Sequence, residues 1–230
     1  MTTLYIDVLN KVPLFAELDE EELRQLASVV REQHYRKNTT IVHVNDPGNA
    51  LFILKSGLVK VTIEDQHGYE MILRILYPPD FFGDMSLLDG MPRSATVTTQ
   101  EPTEVLVIHR DHFLLLIEKI PKILLKMTAV LSKRLRRANE LIHSLAFFDV
   151  YGKVARVLLN LVMEKGRATE AGTVIDMRLT QQELADLAGM TRETMARTLR
   201  DFQQAGCIRI ESGIITVLEI DMLHREVQMP

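Results

Sequence analysis

The sequence predicts an α+β fold in two parts joined by a long helix, and three stretches predict it. Between residues 39 and 109, short runs rich in Val, Ile, Leu and Phe are broken at Asp46-Pro47-Gly48, Ser56-Gly57, His67-Gly68 and Pro78-Pro79-Asp80. A break about every ten residues is the rhythm of an antiparallel β-sandwich or roll. From residue 121 to 145 the apolar positions Leu124, Met127, Leu131, Leu135, Ala138, Ile142 and Leu145 recur three or four apart, with no Gly or Pro after Pro121. That spacing forms a continuous seam on one helical face, better suited to pairing with a second copy than to a monomer core. Beyond residue 180 two short helical patterns meet at Gly189, the outline of a helix-turn-helix.

Composition narrows the functional classes. The 230 residues carry a net charge of −4, with 47% hydrophobic and 25% charged residues and a single cysteine, Cys207. One cysteine rules out an intrachain disulfide and cannot supply a four-cysteine zinc or iron–sulfur site. The start lacks a basic segment followed by an apolar one, and no apolar run reaches membrane-spanning length, so a cytoplasmic protein without membrane contact is expected. Net charge gives no global argument for nucleic acid. From residue 147 onward ten basic residues face twelve acidic ones, so binding to DNA must come from local placement.

Taken in order, Asp19 and Glu22 have capping-box spacing before a helix whose inner face is Leu23, Leu26 and Val30. Within the roll, residues 81–97 (FFGDMSLLDGMPRSATV) stand apart. Gly83 permits close backbone approach, a helical turn from about Asp84 to Leu88 presents free N–H groups, and Arg93 and Ser94 add donors suited to a phosphate. The same residues also fit a loop in which Arg93 merely pairs with Asp84 or Asp89.

After Leu145 the chain turns at Phe147-Phe148, and Asp149 caps a helix with Val150, Val154, Val157, Leu158 and Leu161 on its inner face. Residues 164–172 are polar and contain glycine, which predicts a surface loop. Thr180 and Glu183 form a second capping box, and Thr191 caps a helix from Arg192 to about Ala205. In that helix Met195, Leu199 and Phe202 face inward, leaving Arg192, Glu193, Ala196, Arg197 and Arg200 outward. Arg suits guanine O6 and N7, and Glu accepts from cytosine N4. On a solvated face Glu193 and Arg197 would instead pair with each other. Lys153 and Arg156 are expected to join the arginines on one basic face. The runs CIRI and IITV around Glu211-Ser212-Gly213 read as a β-hairpin.

Residues 51–109 resemble the cyclic-nucleotide-binding roll, and nearly the whole chain resembles the Crp/Fnr family of bacterial transcription regulators. The resemblance rests on FGDMSLLDGMPRSATV, SLAFFDVYGKVARVLLNL and LTQQELADLAGMTRETMARTLRDFQQAGCIRI, in the family's order. It implies a sensor domain over residues 1–120 with a cyclic-nucleotide-binding β-roll (double-stranded jelly roll), a dimerisation helix over 121–146 and a winged helix-turn-helix domain over 147–230. The implied ligand set is Gly83, Asp84, Met85, Ser86, Arg93, Ser94, Arg134, Ala138 and Asn139, with cyclic AMP the expected effector. The implied DNA contacts are Thr180, Gln181, Thr191, Arg192, Glu193 and Arg197, on a palindromic TGTGA-like site in double-stranded DNA. The 164–172 segment would touch RNA polymerase, and the regulator would be a homodimer.

Two departures bear on the effector. Asp84 is one methylene shorter than the family's usual Glu, and Ala138-Asn139 stands where the cyclic-AMP receptors carry Thr-Ser. Ala138 cannot hydrogen-bond, whereas Asn139 can both donate and accept. The basic run Lys133, Arg134, Arg136, Arg137 also suits a second phosphate, which makes cyclic di-GMP the alternative effector. The same DNA reader with haem or with no effector is a further alternative. A cupin-like metalloenzyme would need a His-x-His motif, and the pair here is His109-x-x-His112; no metal site and no catalytic residue is expected.

Overall fold

The computed structural model describes residues 2–228, which form two compact units, Met1–Leu135 and Arg136–Pro230. The first opens with α1 (Thr2–Leu9) and α2 (Glu20–Val29), followed by the strands β1 (Arg31–Tyr35), β2 (Thr40–Val42), β3 (Ala50–Ser56), β4 (Val59–Glu64), β5 (Glu70–Leu76) and β6 (Phe81–Phe82). Next come α3 (Asp84–Asp89), β7 (Thr96–Thr99), β8 (Thr103–His109) and α4 (Arg110–Lys119), and then α5 (Lys122–Phe147), whose sequence runs on into the second unit. The expected capping box starts α2: Asp19 accepts from the Glu22 amide at 2.9 Å, and Glu22 accepts from the Asp19 amide at 2.7 Å.

Two antiparallel four-stranded sheets, ordered β1-β8-β3-β6 and β2-β7-β4-β5, make the roll. Successive strand side chains point to opposite faces, so a strand segment covered on both sides can be apolar throughout, as residues 50–54 of β3 and 105–108 of β8 are. Ala50, Phe52, Leu54, Phe82, Val105 and Val107 join one core with Val42, Val59, Leu76 and Val97 of the facing sheet. Leu51, Ile53, Leu106 and Ile108 join a second, with Leu23 and Leu26 of α2, Phe113 and Leu116 of α4, and Ile123 and Met127 of α5.

Met127 therefore does not belong to the exposed seam on α5, since it is fully buried in the sensor core. Leu131 is half-buried against the same core, while Leu124, Leu135, Ile142 and Leu145 are open, at 44%, 64%, 63% and 37% exposed. A row of large apolar side chains left in water on a 26-residue helix is a surface that needs a partner.

In the second unit α6 (Val150–Lys165) leads into β9 (Gly166–Thr169) and β10 (Gly172–Ile175), then α7 (Gln181–Ala188), α8 (Arg192–Gln204), β11 (Ile208–Glu211), β12 (Ile214–Val217) and α9 (Ile220–Gln228). Three corrections to the sequence reading arise here. The expected loop at 164–172 is largely strand: β9 pairs antiparallel with β10 at the edge of the sheet β11-β12-β10-β9. Val150 is 38% exposed rather than on the inner face of α6, where Val154, Ala155, Val157, Leu158 and Leu161 are buried. Arg156 is half-buried rather than fully on an exposed basic face: burial lowers its pKa below the usual arginine value, and its Nε is buried without a hydrogen-bond partner. The β11–β12 hairpin turns through Ser212 and Gly213, both at positive φ, as the tightest hairpin turns require.

Candidate functional site

In the first unit, β6 ends at Phe82 and the chain turns through Gly83, at φ 85°, into α3. A Cβ at Gly83 would stand 2.6 Å from Arg93 Nη1 and 2.7 Å from the Ala50 carbonyl oxygen, so only glycine fits beside the guanidinium. Gly48 closes the other side, where a Cβ would lie 2.1 Å from the Ser86 Cβ and 3.3 Å from Arg93 Nε. The loop bearing Gly48 is clamped by backbone bonds from Asn45 N to Arg93 O and from Arg93 N to Asp46 O, each 2.8 Å. Gly48 belongs to the Asp46-Pro47-Gly48 turn, and only the fold reveals it as part of the site.

Arg93 is 5% exposed and pairs with neither Asp84 nor Asp89. Its Nη1 donates to the Gly83 carbonyl at 3.0 Å and its Nη2 to the Ala50 carbonyl at 2.9 Å, while the Phe52 ring lies 5.7 Å from the guanidinium. Nε is buried without a partner. Burial lowers the Arg93 pKa below its ordinary value, against the opposing pull of Asp84 and Asp46.

Asp84, 2% exposed, is held by Arg134 from α5, whose Nη1 donates to Oδ1 at 2.6 Å. Arg134 also donates from Nη2 to the Phe81 carbonyl at 2.8 Å and lies over the Phe81 ring. The second Asp84 oxygen, Oδ2, is buried and unpartnered. Two arginines and one carboxylate thus meet around Gly83, with one buried acceptor, Asp84 Oδ2, and two buried donors, Arg93 Nε and Arg134 Nε, unsatisfied. Such orphaned groups cost free energy in proportion to their lost hydration.

The remaining predicted ligand residues divide by exposure. Ser86 is buried, whereas Ser94 and Met85 are exposed and touch through Ser94 Oγ and Met85 Sδ at 3.7 Å. Ala138 and Asn139 are exposed on α5, as are Lys133, Arg136 and Arg137, the last paired with Glu164 at 3.4 Å. A cleft of about 400 Å³ in the same unit is lined by Asn45, Pro47, Gly48, Asn49, Gly90, Pro92 and Arg110, and includes none of the predicted ligand residues. Glu32, His34 and Glu104 bring possible metal ligands together, but the Lys55 ammonium already bonds both glutamates.

In the second unit, Thr180 caps α7 reciprocally with Glu183, and Gly189 ends that helix in the left-handed conformation at φ 64°. Thr191 then caps α8 by accepting from the Thr194 amide. Met195, Thr198, Leu199 and Phe202 are buried, which fixes the rotation of α8 and leaves Arg192, Glu193, Arg197 and Arg200 exposed with Thr180, Gln181 and Thr191. Among the described residues Glu193 and Arg197 form no ion pair, so both keep their hydrogen-bonding capacity. Sequence reading missed Tyr151, whose hydroxyl donates to Asp201 Oδ2 at 2.9 Å. That bond and the Asp201 charge hold the phenol above its ordinary range, with Arg197 acting in the opposite direction.

Comparison with known proteins gives both units a family. The cyclic nucleotide-binding domain model matches residues 32–119, and the Crp-like helix-turn-helix domain model matches residues 152–226. The chain is 31% identical over 219 residues to the CRP-like cAMP-activated global transcriptional regulator of Mycobacterium tuberculosis, covering 95% of this chain and 98% of that one. It is 34% identical over 212 residues to the cyclic AMP receptor protein of Thermus thermophilus, covering 92% and 95%. Among solved structures, the c-di-GMP responsive global regulator CLP of Xanthomonas campestris superposes with a TM-score of 0.76 at 26% identity, over 86% of this chain and 99% of that one. With its roll, its long helix and its helix-turn-helix matched in order and over almost its whole length, the chain belongs to the CRP/FNR family of dimeric, DNA-binding transcription regulators.

Proposed function

We propose that this regulator is switched by a cyclic mononucleotide, cyclic AMP, and reads a palindromic TGTGA-like operator. The observation that carries the effector is the stock of unsatisfied groups around Gly83. Arg93, a buried guanidinium without a carboxylate partner, has an idle donor at Nε, and the buried carboxylate of Asp84 has an idle acceptor at Oδ2. That is one phosphate and one ribose hydroxyl. Arg134 also keeps a buried, idle Nε, but its charge is already paired with Asp84, which leaves Arg93 the guanidinium at this site without a carboxylate partner. The mononucleotide would draw Arg93 from the Gly83 and Ala50 carbonyls toward its phosphate and supply the negative charge that the buried guanidinium lacks. Relatives named for cyclic AMP, at 31% and 34% identity, support the same choice.

On the DNA side, Arg192, Glu193 and Arg197 are exposed on the α8 face opposite its buried residues. They are the proposed base readers, with Thr180, Gln181 and Thr191 at the helix starts placed for phosphates. A second copy paired along the α5 seam would set two such helices about 34 Å apart, one turn of the duplex. The β9–β10 hairpin is the proposed RNA polymerase surface. Members of this family regulate transcription rather than catalyse reactions, which removes the metalloenzyme alternative.

Cyclic di-GMP is the second reading, favoured by the match to the c-di-GMP responsive regulator and by the exposed basic residues Lys133, Arg136 and Arg137. Isothermal titration with cyclic AMP, cyclic GMP and cyclic di-GMP separates the two. The expected result is one cyclic AMP per chain, bound about thirtyfold more weakly by Arg93→Gln, the loss of a charge-assisted hydrogen bond. Saturation by cyclic di-GMP alone, or by none of the three, would overturn it.

A further inference from the structure

Tyr151, near the start of α6, makes a contact that DNA reading alone does not require. Its hydroxyl donates to Asp201 at 2.9 Å, and its ring meets the buried Phe202 edge-on, with centroids 5.9 Å apart and planes at 89°. Asp201 lies four residues beyond Arg197 on α8, the spacing at which a carboxylate and a guanidinium capture each other across one helical turn. Among the described residues Arg197 nevertheless has no ion pair, and the Asp201 carboxylate is bound to Tyr151 instead.

We propose that Tyr151 is a positioning residue for base recognition: by holding Asp201 toward α6, it keeps that carboxylate from drawing Arg197 back along α8 and leaves the guanidinium free for a guanine edge. The inference rests on the reading of Arg197 as a base reader. Its physical content is a competition for one carboxylate. The phenol is anchored by Phe202 and loses little freedom on bonding Asp201, whereas the exposed Arg197 side chain would lose several rotatable bonds by pairing there. Without the hydroxyl, Asp201 is released to Arg197, and reading the base then requires that pair to break.

The test is operator binding by fluorescence anisotropy in fixed salt, with effector present, for the wild type, Tyr151→Phe, Asp201→Asn, the double variant and Arg197→Ala. Each is measured on the palindromic duplex and on duplexes with single base-pair changes. Phenylalanine keeps the ring against Phe202, so packing is preserved. The expected result is that Tyr151→Phe binds the palindrome about threefold more weakly, the size of an exposed ion pair. It should also lose discrimination at the same base pair as Arg197→Ala, and Asp201→Asn in the same chain should restore both. A loss that persists in the double variant, or that is equal on every duplex, would mean that Tyr151 meets DNA itself or only packs, and would overturn the proposal. Unchanged binding by Tyr151→Phe while Arg197→Ala loses discrimination overturns the positioning role alone. Unchanged base preference in Arg197→Ala overturns the base-reader reading and the positioning role with it.

Discussion

Arg134 Nη1 lies 2.6 Å from Asp84 Oδ1, so a guanidinium on the long helix α5 closes over the carboxylate that begins α3. Asp84 is almost wholly buried and Arg134 three-quarters so. Removing one partner leaves a charge without compensation, and in buried pairs that costs about 3–5 kcal/mol. Asp84→Ala is therefore expected to destabilise the sensor unit by about 3 kcal/mol, the partial exposure of Arg134 setting the lower figure. Asp84→Asn, which keeps the shape and one acceptor, should lose less. Urea unfolding checks both, and equal stability of Asp84→Ala and the wild type would contradict the pairing.

Gly83→Ala tests the cradle around Arg93. The backbone there sits at φ 85°, and the added Cβ would press on Arg93 Nη1 and the Ala50 carbonyl. Strain and displacement together should cost about 2 kcal/mol or more. Because Arg93 is displaced, nucleotide affinity should fall alongside stability. Wild-type affinity in Gly83→Ala would show that the ligand does not use this cradle.

The Lys55 ammonium on β3, bonded to Glu32 on β1 and Glu104 on β8, gives a pH signature. Its hydrogen bond lowers the Glu32 pKa below the ordinary 4.5 against the opposing effect of burial, and Tyr5 lowers it further. A depressed carboxylate contributes stability that is present above the ordinary value and is lost as pH falls through the depressed one. Lys55 is raised above 10.5, chiefly by Glu32, so its contribution is complete below that value and is lost as pH rises through the raised one. Lys55→Met should lower the melting temperature by about 2 °C across the plateau between these limits. Below pH 4.5 the two melting curves should converge. Parallel curves at every pH would contradict the assignment.

The exposed seam on α5 predicts an assembly defect. Leu135→Glu places a charge at a position that is 64% exposed in the single chain and buried in a paired one. Sedimentation equilibrium should show a monomer where the wild type is a dimer. Operator affinity should drop about a hundredfold, because one reading helix no longer brings the second. A dimer that survives the substitution would place the interface elsewhere.

What could be read from the sequence was what is decided locally. The capping boxes at Asp19-Glu22 and Thr180-Glu183, the Gly189 stop and the Ser212-Gly213 turn involve groups a few residues apart, and their chemistry names the helix and strand ends directly. The β9 strand was missed because Gly166–Thr169 is exposed along its whole length, so no alternation marks it. Met127 shares the periodicity of the seam, and only the packing of α5 on the sensor core turns it inward. The inward fold of Arg93 depends on carbonyls at Ala50 and Gly83, and the Tyr151–Asp201 bond joins residues 50 apart in sequence. Both are products of tertiary structure that no local pattern encodes.

The most direct measurement is fluorescence-anisotropy titration of a palindromic TGTGA…TCACA duplex at fixed ionic strength, since phosphate contacts make any affinity salt-dependent. Wild-type protein and Arg93→Gln would each be titrated with and without cyclic AMP. Control by a cyclic mononucleotide at Arg93 predicts specific binding by the wild type that depends on cyclic AMP, and a response in Arg93→Gln that needs about thirtyfold more cyclic AMP. Specific binding by the wild type that is indifferent to cyclic AMP would contradict it.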